Sequence, residues 1–292
     1  MLRGIVCHIA ALLLFACLDA TAKYLSTRYP VTLVVWVRYA AQFALMTIIL
    51  TPLLGRNLVR TNRTQLVVLR SSCLVIVSWL MVSAFSRMPL AETTSIQFVS
   101  PLLLTVLAAH LLKERIGALR WLALAAGFAG VLLIVRPGGQ LDTAGVVLTL
   151  FAAVLHAVYQ LLSRVLGGSE RAAALLYYSA VIGTVCFSVI VPWFWDGPSP
   201  TPFYYVLFVG MGVLAGLGHF LFTEAFRCAP ASLLAPITYL QLVWAVLFGW
   251  VIFGQLPDYV TVIGIMIIAV SGIAVTVHGQ RSARALKKAL AT

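Results

Sequence analysis

Between Pro89 and Pro137 the chain runs LAETTSIQFVSPLLLTVLAAHLL, breaks at Lys113-Glu114-Arg115, and resumes as ALRWLALAAGFAGVLLIVRPG. Each run is close to the ~20 residues a helix needs to cross a ~30 Å hydrocarbon core. The charged break between them leaves room only for a tight turn. The stretch therefore predicts a membrane-spanning helical hairpin.

The hairpin occurs twice. A shift of 141 positions lays it on ASLLAPITYLQLVWAVLFGWVIFGQLPDYVTVIGIMIIAVSGIAVTV, with Pro89 on Pro230, Ala84-Phe85 on Ala225-Phe226 and Glu114 on Gln255. The same shift runs back through the preceding spans without a gap and sets polar residues on polar residues. Asp19 falls on Gln160, Arg38 on Ser179, Thr47 on Ser188, Ser78 on His219, Ser83 on Glu224, Gln97 on Thr238 and Ser100 on Gln241. In an apolar background such matches indicate two tandem copies of one unit, residues 1–137 and 138–280, followed by a basic tail at 281–292.

At 62% hydrophobic and 10% charged residues, the surface of this chain must face lipid. The net charge of +12 does not indicate nucleic acid, because Lys and Arg occupy short connections rather than a patch with interleaved aromatics. Cys7, Cys17, Cys73, Cys186 and Cys228 stand singly, without metal-ligand or paired spacing, and read as small packing residues. No Walker motif, HExxH, GxSxG or CxxC occurs, so neither cofactor, metal nor nucleotide hydrolysis is expected of this chain. An intramembrane enzyme would need a nucleophile and base, or ligands, at convergent spacing, and none is present. No obligate protein partner is evident.

The first span, Gly4 to Ala22, imitates a signal peptide with Ala20-Thr21-Ala22 as its cleavage site. Asp19 beside that site, and the span's counterpart at Val146 to Leu162, favour a retained helix. Further spans are predicted at Val31–Pro52, Leu66–Ser86, the two arms of the hairpin, Thr143–Ser163, Ala173–Pro192, Phe203–Glu224, Ala231–Phe253 and Tyr259–Val277. The connection Pro192 to Pro202 joins interfacial tryptophans to a Pro-rich turn. The expected fold is an all-α membrane protein of ten transmembrane helices in two five-helix repeats.

Positive charge assigns the sides. With the N-terminus inside, Arg3, Arg56, Arg60, Arg63, Arg70, Lys113, Arg115, Arg120, Arg164, Arg171, Arg227, Arg281, Arg284, Lys287 and Lys288 are cytoplasmic, against Lys23, Arg28, Arg87 and Arg136 outside. An odd number of spans per unit then inverts the second repeat relative to the first. Inverted repeats place a shared site near the midplane and permit alternating access, which is transporter architecture.

Ionisable residues within spans are costly and point to function. Asp19 has Lys23 at i+4 and Glu224 has Arg227 at i+3, so each is either a terminal ion pair or a proton-coupling group. Glu92 suits a helix N-terminus. Arg38 can bind a substrate carboxylate or snorkel to the surface. Gln97 and Ser100, with their counterparts Thr238 and Gln241, lie within ~60° on their helices and form two polar walls, either lining a cavity or bonding neighbouring helices. Pro101 and Pro236 are expected to kink the same two spans as hinges. Ser78 and Trp79, matched by His219 and Phe220, with Tyr239 and Trp244, add hydrogen-bonding groups and aromatic faces. His156 reads as a structural histidine rather than a proton carrier. Gly212 with Gly216, and Gly127 with Gly130, form small-residue packing faces.

The repeated unit, with SPLLLTVLAAHLLKERIGALRWLALAAGFAGVLLIVRPG and the acidic Glu114 closing its fourth span, resembles the EamA family of the drug/metabolite transporter superfamily, and the resemblance covers almost the whole chain. Gln255 departs from the acidic pattern in the second copy. The resemblance implies an inner-membrane carrier with both termini cytoplasmic, exporting small amphipathic metabolites, with spans 5 and 10 peripheral to the cavity. Within the family the chain looks most like YddG-type exporters of amino acids, aromatic ones included. Its DATAKYLSTRYPVTLVVWVRYA segment is also similar to carriers of riboflavin and related metabolites.

The charge count makes a direct prediction of topology. In a background without the native cysteines, Ser199→Cys should react with an impermeant thiol reagent in intact cells, whereas Asn62→Cys should react only after lysis. Protection at Ser199 with labelling at Asn62 reverses the orientation.

Overall fold

The structure, a computed structural model, describes residues 1–111, 117–136, 140–195 and 200–289. Lys113, Glu114, Arg115, Pro137, Gly138 and Ser199 lie outside the described residues. The helices are α1 (Leu2–Ser26), α2 (Val31–Leu54), α3 (Thr64–Phe85), α4 (Leu90–Gln97), α5 (Ser100–Leu111), α6 (Ala118–Val135), α7 (Thr143–Leu166), α8 (Ala172–Phe194), α9 (Pro202–Cys228), α10 (Ala231–Ile237), α11 (Leu240–Phe253) and α12 (Tyr259–Ala289). Eight helical stretches, counting α4–α5 and α10–α11 as one each, are long and apolar enough to cross a membrane. Trp121–Val135 and Tyr259–Val275 are shorter apolar segments. This is an all-helical membrane protein. The last helix runs on through Ala289 and takes in most of the basic tail.

Polar side chains hold the helix ends. Asp142 accepts from the Gly145 N–H at 2.6 Å and caps α7. Glu170, in the α7–α8 connection, accepts from the Asn62 and Arg63 N–H groups at 2.8 and 2.7 Å, placing an anion at the N-terminus of α3. At the end of α11, Gly254 takes a left-handed conformation and the Gln255 N–H returns to the Gly249 carbonyl. The turn at Gln255 is thus closed by backbone.

The fourth and ninth spans are each broken, and at equivalent points. Phe98 N–H is shared between the Thr94 and Ser95 carbonyls, and Thr238 N–H between those of Leu234 and Ala235. Tight turns follow through Val99 and Leu102 in one and through Gln241 and Leu242 in the other. The prolines are not equivalent. Pro101 sits in the first turn of α5, where a missing N–H costs nothing, whereas Pro236 lies inside α10 before its break.

Helices of one set pack chiefly on helices of the other: α1 on α9, α3 on α7, α2 on α8, α5 on α7, α11 on α1, and α6 on α12. The pattern is unchanged when each helix is exchanged for the one five spans away. The exchange fails in places: α4 packs on α11, with no contact of that extent between α10 and α5 among the described residues. α1, α2 and α3 also pack on one another, while α7, α8 and α9 make no corresponding contact of that extent among the described residues. The α6–α12 pair stands at the periphery.

Two close approaches depend on glycine. A Cβ on Gly264 would lie 2.7 Å from both the Gly130 carbonyl and Ile134, and one on Gly130 would meet the Gly264 carbonyl at 2.9 Å. Gly212 abuts Ala41 of α2, but Gly216 faces open space, so the expected pairing of those two as one packing face is not realised. Gly264→Val should cost about 1–3 kcal/mol through overpacking. This should show as a lowered thermal midpoint of purified protein, with Gly210→Ala, which meets nothing, as the silent control.

Candidate functional site

Each broken span rests on a helix of the other set. At the α4–α5 break, Gln97 Nε2 and Ser100 Oγ lie 3.1 and 3.2 Å from His156 Nδ1 on α7, and Gln160 Nε2 donates to Ser100 Oγ at 3.2 Å. At the α10–α11 break, Thr238 Oγ1 lies 3.1 Å from His8 Nε2 on α1. The Gln241 amide has two orientations. In one, Nε2 donates to Asp19 Oδ2 at 3.5 Å. In the other, Nε2 donates to the Leu12 carbonyl at 2.8 Å and Oε1 accepts from the Ala16 N–H at 3.3 Å, satisfying both ends, and this one is the better bonded. The matched polar residues thus bond helices α7 and α1, the second of the two roles open to them from sequence. Gln97 Oε1 remains buried and without a partner.

Between the two breaks lies a group of ionisable and aromatic residues. Tyr39 OH meets Ser78 Oγ at 2.7 Å. Arg70, buried in α3, donates through Nε to Ser163 Oγ (2.8 Å), through Nη1 to the Leu175 carbonyl (3.0 Å) and Ser179 Oγ (3.3 Å), and through Nη2 to Tyr159 OH (2.8 Å). The Tyr159 ring stacks on His156 at 5.6 Å and so joins this group to the α4–α5 break. Phe15 meets His219 edge-on at 5.0 Å and joins it to the α1 side. Arg38 lies within electrostatic range of Asp19, Tyr39 and His219. Asp19, His156 and His219 are deeply enclosed by protein, yet each keeps part of its surface accessible. That combination is the mark of residues lining an internal space.

The EamA-like transporter family matches this chain twice, over residues 2–136 and 143–277. The chain belongs to that family. Its relatives include the S-adenosylmethionine uptake transporter of Rickettsia prowazekii, 28% identical over 91% of this chain and 90% of that one. The riboflavin transporter of Vibrio cholerae is 28% identical over 92% and 91%. The pseudopaline exporter of Pseudomonas aeruginosa is 27% identical over 94% and 95%. A crystal structure of another protein shares the fold, with a TM-score of 0.63 at 20% identity, covering 95% of this chain and 98% of that one.

In this EamA-like transporter some residues singled out from sequence lie away from the group. Trp79, 39% exposed, shares an exposed stripe of α3 with Leu69 and Ile76, about 100° around the helix from Ser78. Phe220 is exposed likewise. The Tyr239 ring packs on Phe98 at 5.3 Å and against Gly272 of α12, toward the periphery. Trp244 stacks on Phe248 at 6.3 Å, its indole N–H buried and unpartnered. Glu224 pairs with Arg3 at 3.0 Å and Arg227 at 3.3 Å, so it is a terminal ion pair. Asp19 is not: Lys23 turns elsewhere.

Lys23 is buried, and its Nζ donates to the Phe85 and Met88 carbonyls at 2.8 and 2.6 Å while lying 5.3 Å from the centre of the Phe253 ring. One ammonium therefore ties the ends of α1, α3 and α11 together. Every residue of α4 is buried behind it. Above this seal lies a cleft of about 440 Å³ lined by Arg87, Glu92, Arg136, Asp142 and Asp258. There the hydrogen bond from Arg136, with the Thr261 N–H, holds the Asp258 carboxyl down at about 2. At the other end of the bundle the equivalent of Glu92 is Leu233, which is 38% exposed, and that end is less closely covered.

Arg70 and Lys23 had been counted among charges in connections, and burial in the bundle corrects both. A cation well inside an apolar run was the available signal. His8 falls on Thr149 under the 141 shift, another polar match, and both are fully buried.

Gln97→Ala and Gln241→Ala each remove a bond between a broken span and a helix of the other set, so both should lower the thermal midpoint, for about 1 kcal/mol per lost hydrogen bond, and weaken transport. Trp121→Ala, on an exposed position of α6, should change neither. Unchanged transport in both glutamine variants, with loss in folded Trp121→Ala, would move the pathway elsewhere.

Proposed function

We propose that this protein is a secondary carrier of the inner membrane that moves a small amphipathic metabolite between its two five-helix sets by alternating access. The observation that carries this is the enclosed but accessible group around Asp19, Arg38 and His219, flanked by two helix breaks at equivalent points of the repeat. Inverted repeats account for the exchange-symmetric part of the packing, and a single conformational state accounts for the places where the exchange fails. On the orientation taken from charge, the sealed Lys23 end is outside and the less covered end faces the cytoplasm. Ten spans, units at 1–137 and 138–280 and both termini inside belong to the same proposal.

The three relatives named above carry the names of S-adenosylmethionine uptake, riboflavin transport and pseudopaline export, and none of the three is named for amino-acid export. Amino-acid export therefore rests on the YddG-type resemblance alone. A flat metabolite of the riboflavin kind is the second reading, favoured by the Vibrio relative and by the stacked Trp244–Phe248 pair.

Asp19 is the proposed proton-sensitive group. As a carboxylate it accepts from Gln241 Nε2. As a carboxylic acid it donates to Gln241 Oε1 in the turned amide, which then also engages Leu12 and Ala16. In proteoliposomes loaded with a cell metabolite extract, counterflow read by mass spectrometry should identify transported species. Asp19→Asn should abolish the response to a pH gradient, while Glu224→Gln should keep it. Equal responses in both variants and the parent remove proton coupling from either carboxylate, and absence of any flux defeats the carrier proposal.

A further inference from the structure

Arg38 and Arg70 belong to the group between the two breaks, and among the described residues neither is ion-paired with a carboxylate. Arg38 lies seven residues into α2, about 10 Å below its end at 1.5 Å per residue. Among the described residues it makes no hydrogen bond or ion pair, and its Nε is buried and unpartnered, while the side chain as a whole is only half-buried. Its neighbours are the Tyr39 ring, 5.6 Å from the guanidinium carbon, with Asp19 and His219 in electrostatic range. Arg70 is 4% exposed and donates only to hydroxyls and a carbonyl, with the Tyr159 ring 4.5 Å away.

The nearest acid, Asp19, is engaged by or turned against Gln241. Lys23 and Glu92 belong to the sealed end. Arg38 and Arg70 bring two positive charges to this group, against the one negative charge that Asp19 carries as a carboxylate. A buried cation without a counter-ion is strongly unfavourable, and a cation inside a membrane protein is retained where it does work.

Resting on the carrier reading above, we infer that the transported molecule carries an oxyanion, a carboxylate or a phosphate, and that Arg38 is the residue that binds it. Arg70 has committed its donors to fixed protein groups, so it supplies a standing positive field. Arg38 has its fork free, and a planar guanidinium accepts either oxyanion through two parallel N–H···O bonds. An acceptor-rich, negatively charged head with a flat apolar body fits this lining. A cation does not, because it would enter against the field of both arginines.

The test uses full-length protein in lipid nanodiscs and two pairs of probes that differ in charge on one ring system: riboflavin with riboflavin 5′-phosphate, and tryptamine with indole-3-acetate. Binding is read by tryptophan fluorescence and by thermal shift. The anionic member of at least one pair should bind about tenfold or more tightly than its partner, as a charge-assisted bond predicts. The pair that shows it distinguishes phosphate from carboxylate. Arg38→Gln should remove that preference without lowering the thermal midpoint, since Arg38 holds no other group, and Arg38→Lys should restore part of it. Equal or tighter binding of the neutral or cationic member, or a preference that survives Arg38→Gln, overturns the inference.

Where no probe binds, counterflow from the metabolite extract decides. Movement of anions that Arg38→Gln abolishes supports the inference. Movement only of species that carry neither a carboxylate nor a phosphate overturns it while leaving the carrier intact. No movement of any species defeats the carrier reading itself.

Discussion

Within a hydrocarbon layer every backbone N–H and C=O released from a helix must find its partner in the protein, and the rest of this structure follows from where the chain meets that demand. The fourth and ninth spans interrupt their ladders at Gln97–Ser100 and Ile237–Leu240. Both breaks are closed by shared and tight-turn backbone bonds and lie against a helix of the opposite set, α7 for one and α1 for the other. Only such contacts keep an irregular segment out of lipid. They also bring His156, Gln160, His8 and Asp19 to the breaks, so the device that satisfies the backbone also gathers the polar residues.

Packing between the sets has a second consequence. Because α1 belongs with α9 and α3 with α7, neither five-helix unit has a core of its own, and relative motion means sliding across interfaces lined by small residues. The structure is lopsided in a way the sequence repeat is not. Lys23 caps two carbonyls of the α3 end and seals α4 beneath it, whereas the corresponding position in the second unit is Arg164 and the corresponding segment begins with the exposed Pro230. In the proposed carrier this lopsidedness is the conformational state itself: one end closed by a cation on helix dipole carbonyls, the other uncovered.

Apolar run length and the 141-residue shift were enough to place the helices and the duplicated unit, because helix length and repeat register are properties of the chain alone. Helix ends moved by a few residues where capping or a following turn took over. The grouping of site residues was only partly legible. Ser78 and Trp79 are neighbours in sequence, and one rotation of about 100° sends Ser78 to Tyr39 and Trp79 to the exposed face. Tyr239 and Gln241 likewise diverge, one toward α12 and the other toward α1.

Charge shows the division most clearly. That Arg38, Arg70, Lys23, Asp19 and Glu224 sit in or beside apolar spans is written in the sequence, together with a membrane fold and a duplicated unit. Which of them is paired is not. Glu224 finds Arg3 across 221 positions, Arg70 finds hydroxyls on α7 and α8, Lys23 finds the Phe85 and Met88 carbonyls, and Arg38 finds no hydrogen-bond partner among the described residues. The energy of a charge depends on what lies within a few ångströms of it, and in a bundle whose helices pack mainly across sets those neighbours come from far along the chain, so only the tertiary structure decides them.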